Sequence, residues 1–580
     1  MPTTRRPLPC NNDRGQLPRH TRLAPAAALI SALLLLPLAQ AQTAPPQLPS
    51  GAEPGREAAR PVLPTPGLGA PPLAVPQAPA TAAPPGAEQL RFTLTRVQID
   101  GASHFSADSL KPLYAELMGQ PISVAQAFGV AQALELRYRN AGFVTTRVVV
   151  PQQTVEDGLF RIQVIEGFLS DIVFDAHIGP ARAAVERLVA PLKGVRPVSL
   201  ADIERRLLLA NDLAGLTVRA TLEPSPDALG GSVLRVGVER RAREMSLSVD
   251  THSSPYLGWA NVGGSLAFNA FGERADRVSL NLRSSLETGR SAMAAVGYDA
   301  LLSGEGLSLN ASASLSTSKP QLELQALDVR SQVQATQATL AWPLVRSRLM
   351  NVRAVGQLDV REVDTDIAGA AFTRDRLRVL RLGVSVDRAD ESNGVNAARL
   401  TLHQGLDALG AKPKGDPLAS RINGRSDFTK FTLDLTRLQQ LGARSSLMLA
   451  LSSQWSTGAL LASEEMALGG ASFGRGFDDG EIAADSGVAV SLELRHNPGW
   501  AWAPAETQLF AFIDGGRLRA HPDGAPLLHA RSLTSLGAGV RANLSPSAFG
   551  TLELAKPLNT TPRTQGDKHP RLFLRWVQQF

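Results

Sequence analysis

The stretch GGASFGRGFDDGE, residues 469–481, concentrates the candidate chemistry of this 580-residue chain. Gly470, Ala471, Ser472, Phe473 and Gly474 spell G-x-S-x-G, the pattern of a serine-hydrolase nucleophile turn. That turn needs a strand before the serine and a helix after it. Gly474, Gly476 and Gly480 follow instead and disfavour a helix. No histidine is spaced as an obvious acid–base partner, so Ser472 stands only as the nucleophile of an alternative, a barrel-borne esterase or lipase. GLDALGAKP, from Gly405, lacks the Lys-Ser/Thr end of a phosphate loop. DDGE, Asp478 to Glu481, lacks the alternating acidic ligands of a calcium loop and reads as a solvated loop. The expectation is a chain with no catalytic, cofactor-binding or metal-ligating set, and no enzyme.

Arg475 is the residue that asks for a partner. A second segment, FAFIDGG, offers one. Side chains alternate along a strand. Leu509, Ala511 and Ile513 then share an apolar face, and Phe510, Phe512 and Asp514 point the other way, just before Gly515 and Gly516. A loop carrying Arg475-Gly476-Phe477 can fold inward and set Arg475 against Asp514, with Phe477 near the two aromatics. The other reading is a solvated loop arginine. In a wet setting such a pair contributes under about 1 kcal/mol. Packed and dehydrated, it would cost about 3–5 kcal/mol to break.

The elements that would position these residues are legible along the chain. Arg5, Arg6, Arg14, Arg19 and Arg22 precede the apolar run LAPAAALISALLLLPLAQA, which ends Ala39-Gln40-Ala41. Basic, apolar and small-x-small regions in that order predict a signal peptide over residues 1–41. The one cysteine, Cys10, lies before the run, so the processed chain would hold no disulfide or thiolate site. Residues 42–90 contain 13 prolines and read as a Pro-rich linker. Residues 91–167 and 168–241 each read as β-α-α-β-β, a tandem repeat, with Ser123 and Gly142 as the caps of one helix. Charged residues are only 19% of the chain and basic ones are spread out, which argues against a nucleic-acid partner.

From residue 242 to 580 the helical signal stops, and about sixteen alternating segments follow. In DRVSLNLRSS, Val278, Leu280 and Leu282 oppose Arg277, Ser279, Asn281 and Arg283. In FTKFTLDLT, Phe431, Leu433 and Leu435 oppose Lys430, Thr432 and Asp434. In VAVSLELR, Val488, Val490, Leu492 and Leu494 oppose Glu493 and Arg495. Short connections (FGERA, VRSR, SPSA) contrast with longer ones such as QGLDALGAKPKGDPLASRINGRS. All six tryptophans (Trp259, Trp342, Trp455, Trp500, Trp502, Trp576) fall here, most near strand ends. Leu572, Leu574, Trp576 and Phe580 share a parity, so the apolar face runs to the C-terminus. No later run of about 18 apolar residues exists, so entry into a membrane requires a barrel.

YRNAGFVTTRVVVPQQTVEDGLFRIQVIEG, TRDRLRVLRLGV, GVNAARLTLHQGL and ASEEMALGGASFGRGFDDGEIAADSGVAVSLELR together resemble the outer-membrane transporters of two-partner secretion, the haemolysin activation/secretion type. The resemblance covers about residues 91–580. It implies α+β periplasmic POTRA repeats followed by an all-β transmembrane barrel of sixteen antiparallel strands, in the outer membrane of a Gram-negative bacterium. Its inward-loop motif falls on Arg475, Gly476 and Phe477. Its strand motif falls on Phe512, Asp514 and Gly516, with Phe510 beside it. It implies that Arg475 meets Asp514, and that Trp576 and Phe580 belong to the C-terminal signal read by the barrel-assembly machinery. The implied cargo is a large secreted exoprotein (an adhesin, a cytolysin or a contact-dependent toxin), and the implied surroundings are outer-membrane lipid. A barrel insertase is the alternative within this architecture. Relatives often carry an N-terminal helix that plugs the pore. Here the Pro-rich segment departs from that pattern, and GAEPGREAAR is its nearest candidate.

Overall fold

Ser123 begins the longest helix for a reason visible in its neighbours. Its hydroxyl accepts the Gln126 N–H at 3.2 Å, while the Gln126 side chain accepts the Ser123 N–H at 2.8 Å. This reciprocal cap satisfies two otherwise unpaired donors. The helix Val124–Asn140 then buries Ala127, Val130, Ala131, Leu134 and Tyr138 at helical spacing, and Gly142 turns the chain at φ +92°. The helix expected over SADSLKPLYAEL is shorter than the pattern suggested. It is one turn, Ala107–Leu110, followed by the 3-10 turns Lys111–Leu113 and Ala115–Leu117. Pro112 has no N–H to continue the ladder.

The computed structural model describes residues 48–56, 73, 82–175, 178–421, 423–500, 506–524 and 531–580. The expected leader, Cys10 and Trp502 lie outside them. In the first repeat, strand Leu159–Ile165 pairs parallel with Arg96–Asp100 and antiparallel with Arg147–Val149. In the second, Gly231–Arg240 pairs parallel with Phe168–Phe174 and antiparallel with Leu216–Pro224. The same three-stranded order recurs, each sheet packed on helices over its own core. Backbone bonds join the repeats: Leu200 N–H donates to the Gly142 carbonyl at 2.9 Å, and Val198 N–H to that of Gly167 at 2.9 Å.

Glu166 closes the first repeat at this joint. Its carboxylate accepts from the Ser103 and His104 N–H groups at 2.8 and 3.0 Å and from Tyr138 Oη at 2.8 Å. Burial alone would raise its pKa; bonds from Ser103, His104 and Tyr138 outweigh burial and hold it below the ordinary value of 4.5. A lowered pKa gives stability that is present above the unfolded value and lost as pH falls through the folded one. Amide exchange at Ser103 and His104 should therefore be slow at neutral pH and lose protection below pH 4.5, after correction for intrinsic rates. In Glu166→Gln the protection should no longer follow that titration; an unchanged pH profile in that variant would remove Glu166 from the joint.

The second repeat docks on the barrel. Arg205 and Arg206, on helix Leu200–Asn211, meet Glu305 at 3.1 and 2.7 Å in the turn between two barrel strands. Arg346 meets Asp212 at 2.8 Å and Arg348 meets Glu204 at 2.9 Å. Leu301 enters the buried cluster of this repeat.

Sixteen antiparallel strands, from Arg243–Asp250 to Arg571–Gln579, close into a barrel. Closure pairs Arg575 through Gln579 with Asp250 through Ser246. The alternation sorts the residues as expected. Val278, Leu280, Leu282, Val488, Val490, Leu492 and Leu494 are exposed on the outer face, and Lys430 and Glu493 are buried on the inner one. Trp259, Trp342, Trp455 and Trp500 are exposed at or near strand ends. An apolar outer band with aromatic residues at its rims suits lipid. Trp576 lies in the last strand, and Phe580 stays exposed just past it, its N–H on the Met245 carbonyl at 2.9 Å. Three neighbouring strands, Arg330–Arg346, Met350–Ile367 and Ala370–Ala389, run 17, 18 and 20 residues. About 9–11 tilted residues cross a bilayer. The excess extends beyond the membrane on the side away from the repeats and is laced by pairs such as Arg376–Asp364 at 2.6 Å.

Candidate functional site in the barrel lumen

The connection between strands Ser445–Ser456 and Ser486–His496 folds into the barrel. Its tip carries Arg475, which is 4% exposed; the solvated reading of this arginine is therefore wrong. Arg475 Nε donates to Asp514 Oδ2 at 2.6 Å, and the Arg475 and Gly474 N–H groups reach Asp514 Oδ1 at 3.2 and 3.0 Å. Arg475 Nη1 donates to Glu493 Oε2 at 2.7 Å and lies 3.5 Å from Glu553 Oε2. The guanidinium rests 3.3 Å from the centroid of the Phe512 ring. Ser535 Oγ also binds Asp514. One arginine thus spends its charge, its fork of donors and its flat face at once, which a lysine cannot do.

The glycines make room for this contact. A Cβ on Gly476 would sit 2.7 Å from the Pro557 nitrogen and 2.8 Å from the Lys556 carbonyl carbon, so only glycine lets the loop press on that strand. Gly469, at φ +110°, would place a Cβ 2.0 Å from the Asp478 carbonyl oxygen. On the same wall Phe512 and Phe510 lie over Gly537 and Gly539 of the neighbouring strand, whose missing side chains leave space for the rings. Gly516 is equally tight, with Val488 O 2.5 Å from a hypothetical Cβ.

Two expectations need correction. Phe477 does not join the lumenal aromatics. It packs with Phe473, Leu468, Leu518 and Leu533, whereas Phe510 and Phe512 cluster with Ala555 and Phe573. The turn closed by Phe477 N–H to the Gly474 carbonyl at 2.9 Å sends the arginine and the phenylalanine to different levels of the same wall, near Asp514 and near Leu518. DDGE is not a solvated loop either. Asp478 is 3% exposed and pairs with Arg571 at 2.6 Å, and Glu481 accepts the Arg563 N–H at 2.8 Å.

Residues 48–56 do more than link. They enter the lumen at the end away from the repeats, without an α-helix; Ser50–Ala52 is a single 3-10 turn. Ala52 is fully buried among Tyr256, Leu324 and Val329. Arg56 holds the segment, with bonds to the Ser50 carbonyl at 3.1 Å, the Ala462 carbonyl at 2.8 Å and Glu465 at 2.6 Å. Arg361, on the barrel wall, donates to the Gly55 carbonyl at 3.0 Å. Proline composition spoke for an extended chain and could not show that this chain turns inward. Sequence reading also missed Glu553, Ser535 and Arg541 as partners of the loop site. Arg541 meets Glu493 at 2.8 Å and lies 3.8 Å from the Phe510 centroid. Their lumen-facing parity was the available signal.

The family model for haemolysin secretion/activation protein ShlB/FhaC/HecB matches residues 230–542. The chain belongs to this family. A second model, the ShlB-type POTRA domain, matches residues 92–167. The chain is similar to the heme/hemopexin transporter protein HuxB of Haemophilus influenzae (strain 86-028NP), 22% identical over 502 residues, covering 85% of this chain and 88% of that one. It is similar to the outer membrane transporter CdiB of Escherichia coli, 24% identical over 467 residues, covering 78% and 76%. The solved structure of CdiB from Escherichia coli has the same fold, with a TM-score of 0.71 at 21% identity over 87% of this chain and 94% of that one. In this member of the ShlB/FhaC/HecB family, the Arg475 loop and the Asp514 strand are the two halves of one buried contact.

Proposed function

We propose that this chain is an outer-membrane channel of two-partner secretion. Its two POTRA repeats, residues 91–167 and 168–241, face the periplasm and take up a large exported protein. The barrel, residues 242–580, passes that protein to the cell surface or the medium. Family membership supports the transport class. The observation that carries the reading is the arginine loop packed inside a closed barrel that is itself docked on the repeats. Exposed edge strands of such repeats can add a strand of an unfolded partner. Folding of the partner outside would then bias its passage, with no nucleotide consumed.

In this reading the chain is a transporter and not an enzyme. Ser472 makes no hydrogen bond to a histidine among the described residues. Ser472→Ala should leave export at the unsubstituted level, read as partner protein in the medium and on the surface. Loss of an esterase activity in that variant, with export intact, would overturn the reading.

A further inference from the structure

Below the inward loop lies a lumenal cavity of about 430 Å³. Glu464 and Glu465 contribute to its lining from the loop, and its walls come from five successive strands, Met350–Ile367 to Ser445–Ser456. Most charges lining it are spent. Lys430 and Arg381 meet Glu464 at 2.7 and 3.1 Å. Glu465 is taken by Arg56 and Arg421 at 2.6 and 3.1 Å.

Two cations on the same wall are not spent. Arg353 and Arg399 line the cavity and make no hydrogen bond or ion pair among the described residues. The register places them in one row: Arg353 is opposite Ser385, and Ser385 is opposite Arg399. Their Cα atoms are therefore about 10 Å apart, two strand spacings, with a hydroxyl between. Asp434 stands opposite Arg399 on the next strand, near enough to feel its charge, but it accepts from Ser452 Oγ at 2.7 Å and forms no direct ion pair with the arginine. Arg353 also lies close to the short turn that faces the repeats, so a chain entering from that side meets this row before the Glu464 contacts.

We propose that Arg353 and Arg399, set about Ser385, form an oxyanion site in the lumen that takes the carboxylate side chains of the polypeptide in transit. This rests on the export reading for the identity of its ligand, though not for its existence. Guanidinium forks match carboxylate geometry. A cleft with surplus charge of one sign raises the local concentration of the opposite one, by about 10-fold or more. Arg353 leaves an incoming carboxylate a partner with no anion to displace, and Arg399 one whose anionic neighbour, Asp434, is already held by Ser452.

The test uses the full chain in outer-membrane vesicles, with Cys10→Ser and Ser385→Cys so that one thiol remains. An anionic and a cationic methanethiosulfonate reagent are compared, each relative to a free thiol. The anionic reagent is expected to react about tenfold faster. Arg353→Gln with Arg399→Gln should bring the ratio to that of the free thiol, and the paired lysine variants should keep it. Heat-modifiable migration checks that each barrel is folded. A ratio near that of the free thiol, a ratio favouring the cation, an unreactive thiol, or a ratio unchanged in the glutamine variant would each overturn the site. A second arm adds a tetraglutamate peptide or inorganic phosphate at equal ionic strength. Protection by the peptide alone is expected. Equal protection by phosphate assigns the site to small oxyanions and overturns its role with polypeptide, as does protection by neither. None of these readouts requires export, so failure of the export reading leaves its own separate signature.

Discussion

Arg475→Ala is expected to lower export by at least about tenfold while the barrel still inserts and migrates as a folded species. The reason lies in where its contacts fall. Every strand keeps its backbone ladder, so the barrel does not need the arginine to close. The loop does. Removing Arg475 strips Asp514 of its charged partner, uncovers the Phe512 ring and leaves Glu493 to Arg541 and Arg495. Removing one member of a buried pair costs about 3–5 kcal/mol, because the remaining charge is left uncompensated. Asp514→Ala should give the same loss, and the double variant should add little to either single one. Arg475→Lys should also fail, since an ammonium can neither stack flat on Phe512 nor feed Asp514 and Glu493 together. Export, barrel abundance and heat-modifiable migration, measured side by side, check all four variants. Normal export by Arg475→Ala would remove the loop from the mechanism.

The second large effect concerns the N-terminal segment. Arg56→Glu would set a new carboxylate beside Glu465, whose present partners are Arg56 and Arg421. It would also break the bonds that hold the Ser50 and Ala462 carbonyls. Like charges in so confined a space repel, and the segment should leave the lumen. The expected result in planar bilayers is a rise in open-channel conductance of several fold over the unsubstituted chain. Conductance equal to the unsubstituted level would mean that residues 48–56 do not limit the pore.

The architecture was legible because a barrel writes its two faces into the sequence with a period of two. Val488, Val490, Leu492 and Leu494 could be assigned to lipid, and Glu493 to the lumen, from alternation alone. The Arg475–Asp514 contact was legible in part. Parity showed that Asp514 faces inward, and glycines showed that the loop could bend. The resemblance supplied the pairing. Parity fails in loops, where a single turn redirected Phe477 from the aromatics it was expected to join. It fails for the same reason at Asp478 and Glu481, which are covered by the connection between the last two strands and by Arg571 at the start of the last one. Residues 48–56 were illegible for a different reason. Their contacts are with side chains hundreds of positions away, such as Glu465 and Arg361, and their composition speaks only for local conformation.

The most direct test of the export reading compares the proteins of the medium and the cell surface between the native strain and one lacking this chain. The deletion is complemented in turn with the unsubstituted chain and with Arg475→Ala. The account predicts that one large exoprotein disappears from the medium and the surface on deletion. The unsubstituted chain should restore it; Arg475→Ala, present at equal level in the outer membrane, should not. An unchanged set of surface and secreted proteins on deletion would contradict the account.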